Sequence, residues 1–164
     1  MYLRIPRDRV AALLGKNGKT KAKIEKDTGC AVKVEGNDVT VEGEPVKELR
    51  AGEIVKAIGR GFAPKDAMDL LSDDMELIVI TLEEKPNVVR RLMGRVIGRQ
   101  GKSRLFIERM TGARIAVKGK TVAIIGDLEG ARVAERAVDM LLEGRTHAYV
   151  WKRLEKMVRE SKSR

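Results

Sequence analysis

Apolar and polar residues alternate in two short stretches, Ala31-Val32-Lys33-Val34 and Val39-Thr40-Val41. A period of two predicts β-strands. Gly36-Asn37 lies between them and reads as a two-residue hairpin turn with glycine first. Upstream, Leu3-Arg4-Ile5 predicts a short strand that Pro6 ends. Val10, Leu13 and Leu14 follow helical spacing, with Asp8 placed to cap that helix. A second helix is predicted over residues 19–28, stopped by Gly29. A third is predicted over 46–58, with Leu49, Ile54, Val55 and Ile58 on its apolar face and Gly59 and Gly61 ending it. The resulting order is βααββα.

The order then returns. Residues 76–82 predict a strand, and 87–97 a helix that Gly94 kinks or ends early. Residues 102–111 predict the second helix. Strands over 113–117 and 122–125 form a hairpin about Gly119-Lys120. The closing helix, 129–142, turns Val133, Ala137, Val138, Leu141 and Leu142 inward. Between the two copies, 64–71 predicts a short helix in a linker that Ser72-Asp73-Asp74 ends. After Gly144, Thr146 caps a last helix from His147 to about Glu160, with Val150, Leu154, Met157 and Val158 as its apolar stripe. Shifting the sequence by 83 residues aligns 15–43 with 98–126 without gaps, and eleven of the 29 positions are identical. The chain is a duplicated domain, since a solenoid needs more and shorter repeats.

The duplication places one unusual feature twice. Gly15-Lys16-Asn17-Gly18-Lys19-Thr20 and Gly98-Arg99-Gln100-Gly101-Lys102-Ser103 each join two helices. Glycines at both ends admit close backbone approach and unusual dihedrals. The following helix N-terminus directs amides at an anion, and Lys16, Lys19, Arg99 and Lys102 add charge. Such a turn suits phosphate. The formal net charge of +10 favours a polyanionic partner, nucleic acid first. From 95 to 120 there are eight Lys/Arg against one acid, Glu108; from 16 to 33 there are six Lys against Glu25 and Asp27.

Other chemistries fall away. A nucleotide-binding P-loop needs glycine five residues before its last glycine, where Leu13 and Val96 stand. Cys30, the single cysteine, excludes a disulfide framework and a zinc cluster, reads as a buried thiol, and fits a reducing cytoplasm. No signal-peptide segment opens the chain, and the longest apolar run, 77–80, is too short for a membrane span. His147 has no partner for metal or acid–base work and reads as helix surface. Asp73-Asp74-Glu76 and Glu83-Glu84 read as solvated acidic clusters, and Tyr149 and Trp151 as packing against the domain body. No catalytic, metal or cofactor site is expected.

The order βαα(Gly-x-x-Gly)ββα, with Val96-Ile97-Gly98-x-x-Gly101 and the weaker Leu13-Leu14-Gly15-x-x-Gly18, resembles the KH domain. Only fourteen residues precede the first glycine turn, which fits the type I topology. The resemblance implies an α+β fold of two tandem type I KH modules plus a C-terminal helix. Each module has a three-stranded antiparallel sheet and three helices. The expected divisions are 1–62, a linker at 63–74, 75–145, and a C-terminal helix with basic tail at 146–164. In this family the Gly-x-x-Gly loop clamps about four nucleotides of a single strand. Bases then lie on an aliphatic groove, here Val10, Leu13, Leu14, Ile24, Val32 and Val34, and Val96, Ile97, Ile107, Ile115 and Val117. Aromatic content of 3% argues against readout by ring stacking.

Residues 94–127 go further. Gly-Arg-x-Ile-Gly-x-x-Gly-Lys-Ser-Arg followed by Gly-Lys-Thr-Val-Ala-Ile-Ile-Gly resembles the Pno/Krr (partner-of-Nob) family of ribosome-assembly factors, and two modules in a short chain resemble its archaeal branch. The resemblance implies binding of single-stranded RNA near the 3′ end of small-subunit ribosomal RNA, and contact with the endonuclease Nob. The same location suggests a link to translation-initiation components. Two other readings stay open on the sequence: a KH adaptor for other RNA or single-stranded DNA in transcription or RNA decay, and a protein-binding KH scaffold. The residues expected to contact RNA are Gly15, Lys16, Asn17, Gly18 and Lys19 in the first module. In the second they are Arg95, Ile97, Gly98, Arg99, Gln100, Gly101, Lys102, Ser103, Arg104, Arg114 and Lys118. Eukaryotic members commonly have a degenerate first module, whereas Gly15 and Gly18 are both present here.

Overall fold

Hairpins organise both halves of the computed structural model, which describes residues 1–163. In the first half, β1 (Tyr2–Arg4), β2 (Ala31–Glu35) and β3 (Asp38–Glu42) form a three-stranded sheet in the order β1-β3-β2. The β2–β3 pairing is antiparallel and places Val32 opposite Val41 and Val34 opposite Val39. Alternation puts Val32, Val39 and Val41 on one buried face. The turn uses Gly36 at φ 63° as its first residue. The Asn37 side chain donates to the Ile5 carbonyl, tying the hairpin to the end of β1.

Helices α1 (Val10–Leu14), α2 (Lys19–Thr28) and α3 (Pro45–Gly59) cover that face. A short 3-10 turn over Arg7–Arg9 precedes α1, so Asp8 lies inside a turn and α1 has no side-chain cap. Helix α3 buries Ala51, Ile54, Val55 and Ile58, while Leu49 is 60% exposed. Leu49 stands about 200° round the helix from Ala51 and about 140° from Ile54, so it belongs to the outer face and not to the core stripe expected of it. After α3, α4 (Pro64–Ala67) and a 3-10 turn to Leu71 bury Ala67 and Leu70. The residues expected as a linker thus pack on α3, and the first compact unit runs from Met1 to Met75.

The second unit begins at Glu76. Strands β4 (Met75–Thr81), β5 (Arg114–Lys118) and β6 (Thr121–Asp127) form a sheet in the order β4-β6-β5. Helices α5 (Pro86–Ile97), α6 (Lys102–Thr111) and α7 (Leu128–Leu142) cover one face. Their core unites Val96, Ile107, Ile115, Val122, Ile124, Val138 and Leu141. Helix α5 continues through Gly94 without the kink or early end expected there, because Met93 and Val96 are buried on either side of it. Asp127 accepts from the Gly130 amide at 2.6 Å and caps α7. Thr146 accepts from the Tyr149 amide at 3.1 Å and caps α8 (His147–Lys162), as its sequence position predicts. Val150, Leu154, Met157 and Val158 bury the inner stripe of α8. Of the predicted basic tail, Arg164 lies outside the described residues. Among the described residues no helix is long and apolar enough to cross a membrane.

Candidate nucleic-acid interface

The two Gly-x-x-Gly turns have nearly the same backbone. Gly15 and Gly98 sit at φ 71°, ψ 176° and φ 75°, ψ 174°. Asn17 and Gln100 follow at φ 56° and 57°, the only non-glycine residues at positive φ among the described residues. Gly18 and Gly101 close the turns at φ 73° and 75° and lead into α2 and α6. A left-handed residue bearing a side chain costs about 1–2 kcal/mol, so the fold holds a strained backbone at the same point twice.

The end glycines serve different purposes. A Cβ on Gly98 would stand 2.7 Å from both the Cβ and the amide nitrogen of Ser103, and one on Gly15 would stand 2.7 Å from the Thr20 Cβ. The first glycine is therefore required by the turn's own folding. A Cβ on Gly18 or Gly101 would meet nothing within 4 Å, leaving open space above the final peptide. The amides of Gly101 and Lys102 donate within the turn, to Gly98 and Arg99 carbonyls. Those of Gly18 and Lys19 donate in the same way to Gly15 and Lys16. These amides do not face outward as expected. The outward electrostatics come from side chains: Lys16, Lys19, Arg99 and Lys102 are exposed and have no hydrogen-bond or salt-bridge partner among the described residues.

Several residues expected at an RNA surface also hold the fold together. The Arg95 Nε donates to the Leu141 carbonyl at 2.9 Å, and its Nη2 donates to the Arg145 carbonyl, closing the exposed end of α7. In the first unit Arg9 donates to Ile58 and Phe62 carbonyls, each at 2.8 Å. The acceptors match by the 83-residue shift, while the donor sits one helical turn earlier. Arg104 bonds Glu108 at 3.1 Å, and Glu108 accepts from the Ile115 amide at 2.8 Å, tying α6 to β5. Lys21, Glu25 and Val32 repeat that arrangement. Ser103 is buried beneath its turn. Arg114 and Lys118 stand at the two ends of β5.

The apolar groove is smaller than expected. Leu13, Ile24, Val32, Val96, Ile107 and Ile115 are buried in the cores and offer no surface to a base. Val10, Leu14, Val34 and Val117 are half-buried and Ile97 is 36% exposed, so the accessible part lies beside the turns. The period of two or 3.6 marks a residue as inward-facing and cannot separate the core from a shallow groove above it.

His147, expected on a helix surface, is half-buried, with its Nε2 3.1 Å from the Arg95 carbonyl. Its ring meets Trp151 edge-on at 5.6 Å, and Trp151 packs against Phe106 at 4.6 Å. A cleft of about 780 Å³ runs from the Gly98 turn between α5, α6 and α8 to these rings. Nothing in the sequence brought α8 to the turn, because that contact spans 52 residues. Among the described residues no group of three potential ligands is arranged for a metal ion.

A model described as a eukaryotic-type KH domain (KH-domain type I), built on the second module of Pno proteins, matches residues 74–159. The general KH domain model matches residues 1–57. A KH domain-containing protein of Methanocaldococcus jannaschii is 46% identical over 163 residues, covering 94% of this chain and 72% of that protein. Dim2p from Pyrococcus horikoshii is 39% identical with a TM-score of 0.89, covering 95% of this chain and 98% of that one. A complex of a/eIF2alpha, aDim2p and rRNA from the same organism matches with a TM-score of 0.90 at 38% identity, over 98% of this chain and 94% of that one. A protein of unknown function from Aeropyrum pernix matches with a TM-score of 0.94 at 39% identity, over 99% of this chain and 92% of that one. Two KH modules, a Pno-type model over more than half of the residues and relatives at this identity place the chain in the Pno/Krr family of KH-domain ribosome-assembly factors, with its archaeal members.

Proposed function

We propose that this chain holds single-stranded RNA on its two Gly-x-x-Gly turns, at the 3′ end of small-subunit ribosomal RNA during subunit maturation. One observation carries the reading. Both turns have the same strained backbone, open space over the last glycine, and two unpartnered cations. A phosphodiester backbone can approach Gly18 and Gly101, with Lys16, Lys19, Arg99 and Lys102 neutralising it. Asn17 and Gln100 lie at the crest of each turn, and Ile97 beside it. Arg114 and Lys118 flank the same path along β5. The modules are 1–62 and 75–145. Linking them raises avidity by roughly 10²–10⁴ when both engage one strand.

The relative solved with rRNA and a/eIF2alpha supports both the RNA and a contact with the initiation machinery. The family likeness supports contact with the endonuclease Nob, and the single buried cysteine fits work in a reducing cytoplasm. The chain acts by binding and not as an enzyme. Crosslinking with sequencing of bound RNA tests this, comparing the wild type with Lys16→Asp/Asn17→Asp and Arg99→Asp/Gln100→Asp. Aspartate tolerates the left-handed backbone, so each pair repels phosphate while leaving the turn intact. Reads should cluster at the rRNA 3′ end and fall in each variant. Unchanged crosslinking in both variants would refute the turns as the site, and reads scattered elsewhere would refute the target.

A further inference from the structure

The cleft between α6 and α8 is a second feature of the Gly98 turn, on a different side from the KH groove. Arg104 and Glu108 of α6 face β5 and hence the groove. Lys102, Leu105, Phe106 and Arg109 lie on roughly the opposite side of the same helix, and they line the cleft. The turn residues Gly98 and Arg99 belong to its rim, so groove and cleft meet at the turn. Helix α8 lies outside the βααββα pattern and supplies the far wall through His147 and Trp151.

Its chemistry is one-sided. Arg91, Arg95, Arg99, Lys102 and Arg109 line it, and no acidic residue does. Arg95 is committed to carbonyls, but Arg91, Arg99, Lys102 and Arg109 are exposed without partners among the described residues. Trp151 remains half-exposed although Phe106 and His147 pack against it. At about 780 Å³ the cleft has room for a nucleotide. The first unit does not repeat this chemistry: the 83-residue shift puts Asp8 opposite Arg91 and Lys23 opposite Phe106.

We propose that this cleft receives the RNA strand after it leaves the Gly98 turn, with a base against Trp151 and its flanking phosphates on Arg91 and Arg109. The proposal rests on RNA binding by the turn. Cations alone would equally suit an acidic peptide. The aromatic platform, and its continuity with a phosphate-suited turn, favour nucleic acid, whose bases stack on such rings irrespective of sequence.

Trp151 is the only tryptophan, so its emission reports on the cleft directly. The full chain is titrated with two labelled single-stranded RNAs. One has four nucleotides, about what a KH groove takes, and one has about ten. Anisotropy reads binding while Trp151 emission is recorded. The longer RNA should shift the emission, and the shorter should not. Arg91→Gln/Arg109→Gln should weaken the longer RNA about tenfold and flatten its log–log salt slope by about 1.4, some 0.7 for each lost phosphate contact. Binding of the shorter RNA should stay unchanged. Trp151→Phe, which preserves packing on Phe106, should weaken only the longer RNA and leave the melting temperature in place.

The cleft proposal fails if the longer RNA binds with silent emission and wild-type affinity in the arginine variant; the turn reading then survives. Absence of binding by either RNA removes the turn reading and the cleft with it. A polyglutamate peptide that shifts the emission at lower concentration than the longer RNA overturns the proposal in favour of a protein site.

Discussion

Gly98→Ala and Gly101→Ala add one methyl group at opposite ends of the same turn and should have different costs. At Gly98, φ 75° and ψ 174° fall in a region essentially reserved for glycine, with a backbone cost of about 1–3 kcal/mol. The new Cβ also stands 2.7 Å from the Ser103 amide nitrogen, which cannot yield without moving the start of α6. Overpacking of that kind adds roughly 1–3 kcal/mol, for a total of about 2–6 kcal/mol. At Gly101 the backbone is ordinary left-handed, φ 75° and ψ 11°, and the Cβ meets nothing. That change costs about 1–2 kcal/mol. For a unit of this size each 1 kcal/mol is roughly 4–8 °C in melting temperature. Calorimetry of the full chain should therefore show a much larger loss in the second unit for Gly98→Ala. Adding Ser103→Gly to Gly98→Ala removes the contact with the Ser103 side chain and keeps that with the nitrogen, so recovery should be partial. Equal losses for the two alanines, or a larger one at Gly101, would refute the assignment of the first glycine to folding and the second to open approach.

Arg95→Ala should lower the stability of the second unit by about 1.5–3 kcal/mol through the lost charged hydrogen bonds to α7, while RNA affinity measured well below the new melting temperature changes little. Glu108→Gln should cost about 1–2 kcal/mol, seen as a lower urea midpoint, because the Ile115 amide and Arg104 lose a charged acceptor. Burial, and then the carboxylates of Glu135 and Glu143, hold the Asp139 carboxyl above its ordinary 3.8. The folded state thus disfavours the ionised form, and stability falls as pH rises from that value through the raised one. Asp139→Asn should raise the melting temperature at neutral pH, with the gain vanishing in acid where both states are protonated. Lys102→Glu should slightly raise the melting temperature, since an acid suits a helix N-terminus by about 0.3–1 kcal/mol, and should reduce RNA affinity by filter binding.

The sequence marked element boundaries best where glycine ends them. The second helix of each unit, Lys19–Thr28 and Lys102–Thr111, has the predicted limits because left-handed glycines stand on both sides. Faces were less legible. Leu49 is apolar and adjacent to the right period, yet only the packing of Ala51, Ile54, Val55 and Ile58 decides which side of α3 is inward. Charge was least legible at the site. Arg95, Arg99 and Arg104 are alike in sequence, but one closes a helix end, one is free, and one joins a helix to a strand. Those roles depend on carbonyls and amides many residues away.

The internal repeat separates what the fold needs from what it does not. Ile24 and Ile107 are core, as are Val39 and Val122. Glu25 and Glu108 receive a strand amide. Thr28 and Thr111 donate to the carbonyl four residues back and accept from the amide two residues on. Gly29 and Gly112 end helices in the left-handed region, and Gly36 and Gly119 turn hairpins. A Cβ on Gly43 would strike the Cys30 Sγ at 2.6 Å, and one on Gly126 would crowd the Ala113 Cβ at 3.0 Å. Val34 and Val117 are half-buried in their sheets. Gly15 and Gly98 are needed by the turn itself, and Gly18 and Gly101 leave it open. Among the side chains, one identity remains without a role in the fold: Lys19 and Lys102 are exposed, have no partner among the described residues, and place a cation at a helix N-terminus. The dipole makes that position mildly unfavourable for lysine. A residue present in both copies against its local electrostatics, at the edge of an open turn, is what the proposed phosphate clamp requires of that position.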